Sequence, residues 1–373
     1  MNRRQMLARS VHMAASLVSM SSVTALAAVG RPATVVFLNP GESLEGDTGP
    51  HWQLVSRFMN ATAERLGMRL EVLYAERDHL LMQRQAESIA ARADAPDYVV
   101  IVNEKMAAQP MLQTLSHSPA KILLIHNDLT EAQRSITGNE RGTIQNWIGT
   151  ITADAERGSF RLMQYLASLI RDQPARVIGI TGDRATPVSA ERAAGVRSAL
   201  ARDPQNQMYQ LAFGDWSFAD GREKASVLLS RYPDVNILWA ANDSMTLGAL
   251  SAVRERHSNV IVGGLGALPE AVESVARNEL AAIVAGDLFI GACAMVLIYD
   301  YHHGADFAQA GGARQRLDFL KVLHGDDAAR FQDIAFERPM PPDFRTFSRV
   351  LRRTTAPYGF DLQVLLDASS RTA

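Results

Sequence analysis

Short, continuous apolar runs alternate with amphipathic helical stretches through almost the whole chain, and that alternation limits the fold more than any single motif. The runs are Thr34–Leu38, Leu70–Tyr74, Tyr98–Val102, Ile122–Ile125, Val177–Ile180, Met208–Phe213, Ile237–Ala240, Val260–Val262 and Ala281–Ala285. Uninterrupted apolar strands suit parallel sheets, because helices cover both faces of such a sheet. From Trp52, the residues Val55, Phe58, Met59, Thr62, Ala63 and Leu66 follow helical spacing, and Gly67 stops the helix. Comparable stretches span 80–93, 156–170, 189–201, 221–231, 244–256, 269–277 and 288–301. Strand and helix in turn mean βαβ units, hence an α/β fold.

A chain of 373 residues is too long for one ordinary core. The runs fall on either side of a polar stretch, Asn127 to Asn146, which suggests two similar parallel sheets. No strong internal repeat is visible. Residues 304–315 are loop-like. The proline- and arginine-rich tail from Pro339 to Pro357 suggests a hinge crossing followed by a surface extension.

The balance of 47% hydrophobic and 21% charged residues is that of a soluble globular protein. A formal charge of −2 leaves no electrostatic footprint for nucleic acid. At the N-terminus, Arg3 and Arg4 precede an apolar stretch from Val11 to Val23, and Ala25-Leu26-Ala27 has the small-residue pattern of a cleavage site. The expectation is a signal peptide over 1–27, used by twin-arginine or Sec export, and a periplasmic mature chain. The apolar segment is shorter than the roughly 20 residues of a membrane span. Cys293 sits among Phe289, Ile290, Ala292, Met295 and Val296, so a buried, inert thiol is expected.

Catalytic signatures are lacking: no Gly-x-Ser-x-Gly elbow, no phosphate loop ending in Gly-Lys-Ser/Thr and no His-Glu-x-x-His occur. Gly264-Leu265-Gly266 follows a strand, but Pro269 stands where a dinucleotide fingerprint needs its last glycine. His302-His303 has no carboxylate or cysteine at ligand spacing. No enzyme, cofactor or metal is therefore expected. The informative stretch runs from Asn236 to Leu250, where Ile237–Ala240 delivers Asn242 and Asp243 to a strand edge before a helix starts. Open α/β sheets hold ligands at that edge. Amide and carboxylate groups there suit a polyhydroxylated ligand, since each can bond several hydroxyls.

With these features the order of elements resembles the type I periplasmic binding proteins, the family of ribose-like sugar receptors of ABC importers. Four places carry the resemblance: Trp147–Asp154, like the family's first interdomain crossing; Ser189–Gly195, like its arginine-bearing helix start; Asn242-Asp243; and Val260–Ala271, like its glycine turn. The departures are Gly266, where such receptors have an aspartate, and Gly286, where they have a glutamine. Gly264-Leu265-Gly266, Asn127 and Trp52 are more similar to the periplasmic autoinducer-2 receptor, although its arginine near the position of Gly286 is missing.

The resemblance implies two α/β lobes, each a parallel sheet flanked by helices, joined by three hinge crossings. The N-terminal lobe would comprise 32–147 and 287–333, the C-terminal lobe 148–286 and 334–350, and 351–373 an extension. The candidate ligand-binding residues are Trp52, Asn127, Asp128, Arg192, Asn242, Asp243 and Gly266. Trp52 offers a face for a sugar ring or simply packs. Arg192 forks to two oxygens or makes a salt bridge. Asp243 binds ligand or caps the helix from Ser244. Asn127 and Asp128 bind ligand or shape a turn. Asn39, Asn103, Glu104, Asp215 and Trp216 are weaker candidates. The implied function is a solute-binding protein that closes on a small polar, sugar-like ligand and presents it to an ABC importer's membrane permease. The alternative is a sensory subunit that signals occupancy to a membrane histidine kinase. A repressor of the same architecture would need a DNA-binding helix pair where the export signal stands.

Overall fold

The computed structural model describes residues 31–368, apart from 45, 47, 171 and 172. The expected signal peptide lies outside the described residues. Among the described residues, twelve strands form two six-stranded sheets. The first sheet contains β1 (Thr34–Asn39), β2 (Arg69–Tyr74), β3 (Tyr98–Val102), β4 (Lys121–Ile125) and β5 (Trp147–Ala153). The second contains β6 (Arg176–Thr181), β7 (Gln207–Phe213), β8 (Ile237–Ala240), β9 (Ile261–Leu265) and β10 (Ala282–Ala285). Each gains a last member from the chain's end, β11 (Arg314–Leu317) for the first and β12 (Lys321–Leu323) for the second.

The spatial orders are β2-β1-β3-β4-β5-β11 and β7-β6-β8-β9-β10-β12. These are the same winding, so the fold contains a repeat that the sequence does not display. All pairings are parallel except β10 with β12. Central β3 and β8 are buried along their whole length, whereas edge strands β2 and β7 are largely half-exposed. That difference follows from helices covering both faces of the sheet's middle. In such a winding the strand order reverses beside β1 and β6, and the crevice at the strands' C-terminal ends is where ligands bind.

The three expected crossings are present, but two of them lie elsewhere than the sequence suggested. β5 is a full member of the first sheet, with Thr150 in register with Leu124, so the first crossing is at Asp154 rather than at 147. The second lies at Gly286, after β10. The third is at 318–320, between β11 and β12, not at 333. The tail then returns to the first lobe instead of completing the second over 334–350. Phe344 packs on Phe289 with ring centroids 5.3 Å apart. Buried Asp300 accepts hydrogen bonds from the backbone N–H of Arg349 at 2.7 Å and from the Tyr358 hydroxyl at 2.9 Å. A buried carboxylate without such partners would be costly, which ties the tail to this place. Residues 351–357 run largely exposed over the surface, and the extension is then anchored by the buried side chains of Phe360, Leu362, Leu365 and Leu366.

Cys293 is buried, and burial pushes its thiol up, as expected of an inert packing residue. Among the described residues, no helix is long and apolar enough to cross a membrane.

Candidate ligand-binding cleft

A cavity with about 580 Å³ of empty space, its mouth included, lies between the C-terminal strand ends of the two sheets. That is the size range of small-molecule sites. Six of the seven sequence-predicted residues line it: Trp52, Asn127, Arg192, Asn242, Asp243 and Gly266.

From the first lobe, the helix His51–Arg65 places His51 and Trp52 at its first turn. The Trp52 indole lies 4.9 Å from the His126 ring, between centroids, and 6.5 Å from Phe37. His126 and Asn127 follow β4, with His126 in the left-handed region at φ 68°. Non-glycine residues held there are costly and concentrate at functional sites. Arg77 and Trp216, also on the cavity wall, share this conformation at φ 60° and 75°. Arg77 donates to Glu104 at 2.8 Å.

From the second lobe, the helix Pro187–Leu200 buries Arg192, which donates from Nη1 to the Ala241 carbonyl at 2.6 Å and from Nη2 to Asp287 Oδ2 at 2.6 Å. Its guanidinium lies 5.9 Å from the Trp216 ring centroid. Asn242, not Asp243, caps the helix Asp243–Glu255 by accepting from the Met245 N–H at 3.0 Å, while its own amide donates to the Trp216 carbonyl at 2.8 Å. Asp243 is thus released for the cavity. Its Oδ1 accepts from the Leu268 N–H at 3.1 Å, and a methyl group at Gly266 would overlap its carboxylate. Gly266 also sits at φ +114°, which disfavours any side chain.

Electrostatics separate the acids. Burial pushes Asp243 up to about 7. Burial alone would also raise Asp287, but the His126 and Arg192 charges hold it well below the usual carboxylate range. His51 is lowered to about 3, chiefly by burial. Burial works against a charged His126 too, yet the Asp287 carboxylate outweighs it and the imidazole is raised.

The lobes touch across the cleft. Asp287, on the first-lobe side of the second crossing, meets Arg192, and the Ser244 hydroxyl donates to the Thr48 carbonyl at 3.0 Å. Buried between the walls are polar atoms with no partner among the described residues: Asn127 Nδ2, Arg192 Nε and Thr186 Oγ1.

Asp128 does not reach the cavity. Its carboxylate is held by Arg134 at 2.5 Å and Arg314 at 2.7 Å, because the turn after β4 directs it away from Asn127. Asn39 holds the Trp52 carbonyl at 3.0 Å and Asn103 the Asp128 carbonyl at 2.8 Å, so both shape the walls without lining them. Glu104 and Trp216 line the cavity and Asp215 does not. Sequence reasoning missed His51, Arg77, His126, Thr186 and Asp287. His126 stands beside a residue that was singled out, and Asp287 is one position past Gly286, where a polar residue was sought. Among the described residues, His51, His126 and Asp287 have metal-type donor atoms within 4.8 Å of one another. Asn127, Arg192 and the His126–Asp287 contact already engage two of the three, so the group is a charge network.

A family model for the periplasmic binding protein domain matches residues 43–305. The chain belongs to this family. It is 32% identical to a solved periplasmic sugar-binding protein from Pseudomonas fluorescens, over 90% of this chain and 99% of that one, with a TM-score of 0.79. A ribose import binding protein from Haemophilus influenzae is 26% identical over 210 residues, which is 52% of this chain and 71% of the relative. A solute-binding protein from Actinobacillus succinogenes, solved with D-allose, shares the fold at 18% identity and a TM-score of 0.69, over 80% and 99% of the two chains.

Proposed function

We propose that this periplasmic binding protein is the sugar receptor of an ABC importer, which closes its two lobes on a small polyhydroxylated ligand and presents the closed form to a membrane permease. The observation that carries this reading is the pairing of indoles with uncovered donors. Trp52 from one lobe and Trp216 from the other offer flat apolar faces to the C–H surface of a sugar ring. Asn127 Nδ2, Arg192 Nε and Thr186 Oγ1 offer donors to its oxygens, and Asp243 offers an acceptor. A ligand gripped by both lobes favours the closed form, because only there are all its bonds made. Binding without turnover is the expected chemistry, as the sugar-binding proteins that resemble this chain imply. The reading includes export to the periplasm through the segment 1–27, which the basic start and the Ala25-Leu26-Ala27 pattern support.

The same cleft could serve a sensory subunit that docks on a histidine kinase. The feature favouring that second reading is the tail from Phe344 onward, which lies outside the family match and packs into the first lobe. Calorimetric titration with a panel of pentoses and hexoses tests the shared core of both readings, and saturable binding of at least one is expected. Binding of amino acids or peptides in place of every sugar would overturn it. Ligand-dependent stimulation of a partner ATPase in vesicles would then favour import over sensing.

A further inference from the structure

Each ring nitrogen of His126 faces an acceptor. Nδ1 lies 2.9 Å from Asn127 Oδ1, and Nε2 lies 3.2 Å from Asp287 Oδ2. With the amide oxygen at Nδ1 and the carboxylate at Nε2, the ring is placed to donate from both nitrogens, and although burial opposes the charge, the Asp287 carboxylate outweighs it and favours the imidazolium. Arg192 brings a second cation to the same Asp287 oxygen, at 2.6 Å. One carboxylate therefore faces two positive charges.

The other charged groups of the cavity do not make up the difference. Arg77 and Glu104 are paired with each other. His51 is neutral, and Asp243 has one oxygen held by the Leu268 N–H, with burial favouring its protonated form. A buried charge left without a partner is costly, and an incoming counter-charge recovers that cost. The uncovered donors belong to the groups that carry or flank the surplus. Arg192 has its two terminal nitrogens turned to Ala241 and Asp287, which leaves Nε; Asn127 has its oxygen turned to His126, which leaves Nδ2. A hydroxyl could accept from either, but only an anion answers the charge as well.

We propose that the ligand is an acidic sugar, a polyhydroxylated carboxylate of the aldonic or uronic type. Its carboxylate takes the donors of Arg192 and Asn127, while its hydroxyls face Thr186 and Asp243. This inference rests on the sugar-receptor reading and narrows it.

Calorimetric titration with matched pairs tests it: D-galactose with D-galacturonate, D-glucose with D-gluconate, and D-ribose with D-ribonate, near neutral pH. The acid should bind roughly tenfold or more tightly than its neutral parent in at least one pair. His126→Gln should shrink the ratio of acid to neutral affinity, whatever it does to either affinity alone. Equal or tighter binding of the neutral member in every pair overturns the inference and leaves the sugar receptor standing. Binding of no member counts against both. A readout independent of ligand and variant is the nitrogen-15 spectrum of His126 in the ligand-free protein. Two protonated ring nitrogens are expected, and a neutral ring refutes the argument.

Discussion

Replacing Asp243 by asparagine keeps the shape of the side chain, and its acceptor for the Leu268 N–H, but removes its titration. In the native chain burial pushes this carboxyl from 3.8 up to about 7. In the unfolded chain it returns to the ordinary value. Between those limits the native state holds a proton that the unfolded state has released, so stability falls as pH rises from about 4 to about 7, then levels off. A gap of roughly three pH units, at about 1.4 kcal/mol for each, comes to about 4 kcal/mol. Urea denaturation followed by tryptophan fluorescence, run on both proteins across this range, isolates the effect. His51, His126 and Asp287 titrate in both proteins and drop out of the difference. The stability of the native chain relative to Asp243→Asn should decline by about 3–4 kcal/mol between pH 4 and 7. Parallel pH profiles would refute the reasoning, because they would mean that the carboxyl is solvated or already paired.

Three further outcomes follow from the same geometry. Gly266→Ala should abolish measurable binding in calorimetry and lower the thermal midpoint, since the added methyl overlaps the Asp243 carboxylate and the backbone stands at φ +114°. Asp128→Asn should leave ligand affinity within about twofold while lowering stability by roughly 1–3 kcal/mol in denaturant, because it weakens a half-buried ionic bond to Arg134 that lies away from the cleft. Truncation after Thr355 should cost about 4 kcal/mol or more in chemical denaturation, as it removes the buried side chains of Phe360, Leu362, Leu365 and Leu366.

The architecture was legible because buried parallel strands are apolar along their whole length, and β1, β3, β4 and β8 announce themselves by that alone. β11 escaped notice: Arg314-Gln315-Arg316-Leu317 is an edge strand that alternates exposed and buried residues, and its arginines read as loop. Trp147–Asp154 reads as a crossing because the chain does leave the lobe at its end; the pairing of Trp147–Ala153 with β4 depends on contacts that no local pattern records. In the cleft, Asn242 and Asp243 were visible as polar residues ending an apolar strand. Which of them caps the helix was not, since either side chain can accept from the first turn. Asp128 was grouped with Asn127 by adjacency, yet neighbouring residues in a turn point apart. Asp287 and His126 find each other only when the second crossing folds back on the first lobe, across a separation of 161 residues. Sequence spacing carries no trace of that contact.

The central claim is that two lobes close on one ligand. Small-angle scattering measures it directly, with the same protein studied free and saturated by the tightest-binding sugar or sugar acid of the panel. The radius of gyration should fall on saturation, and the bound curve should match the structure in which Arg192 meets Asp287 and Ser244 meets Thr48. Tight binding with superimposable curves would contradict the account and leave a preformed pocket in its place.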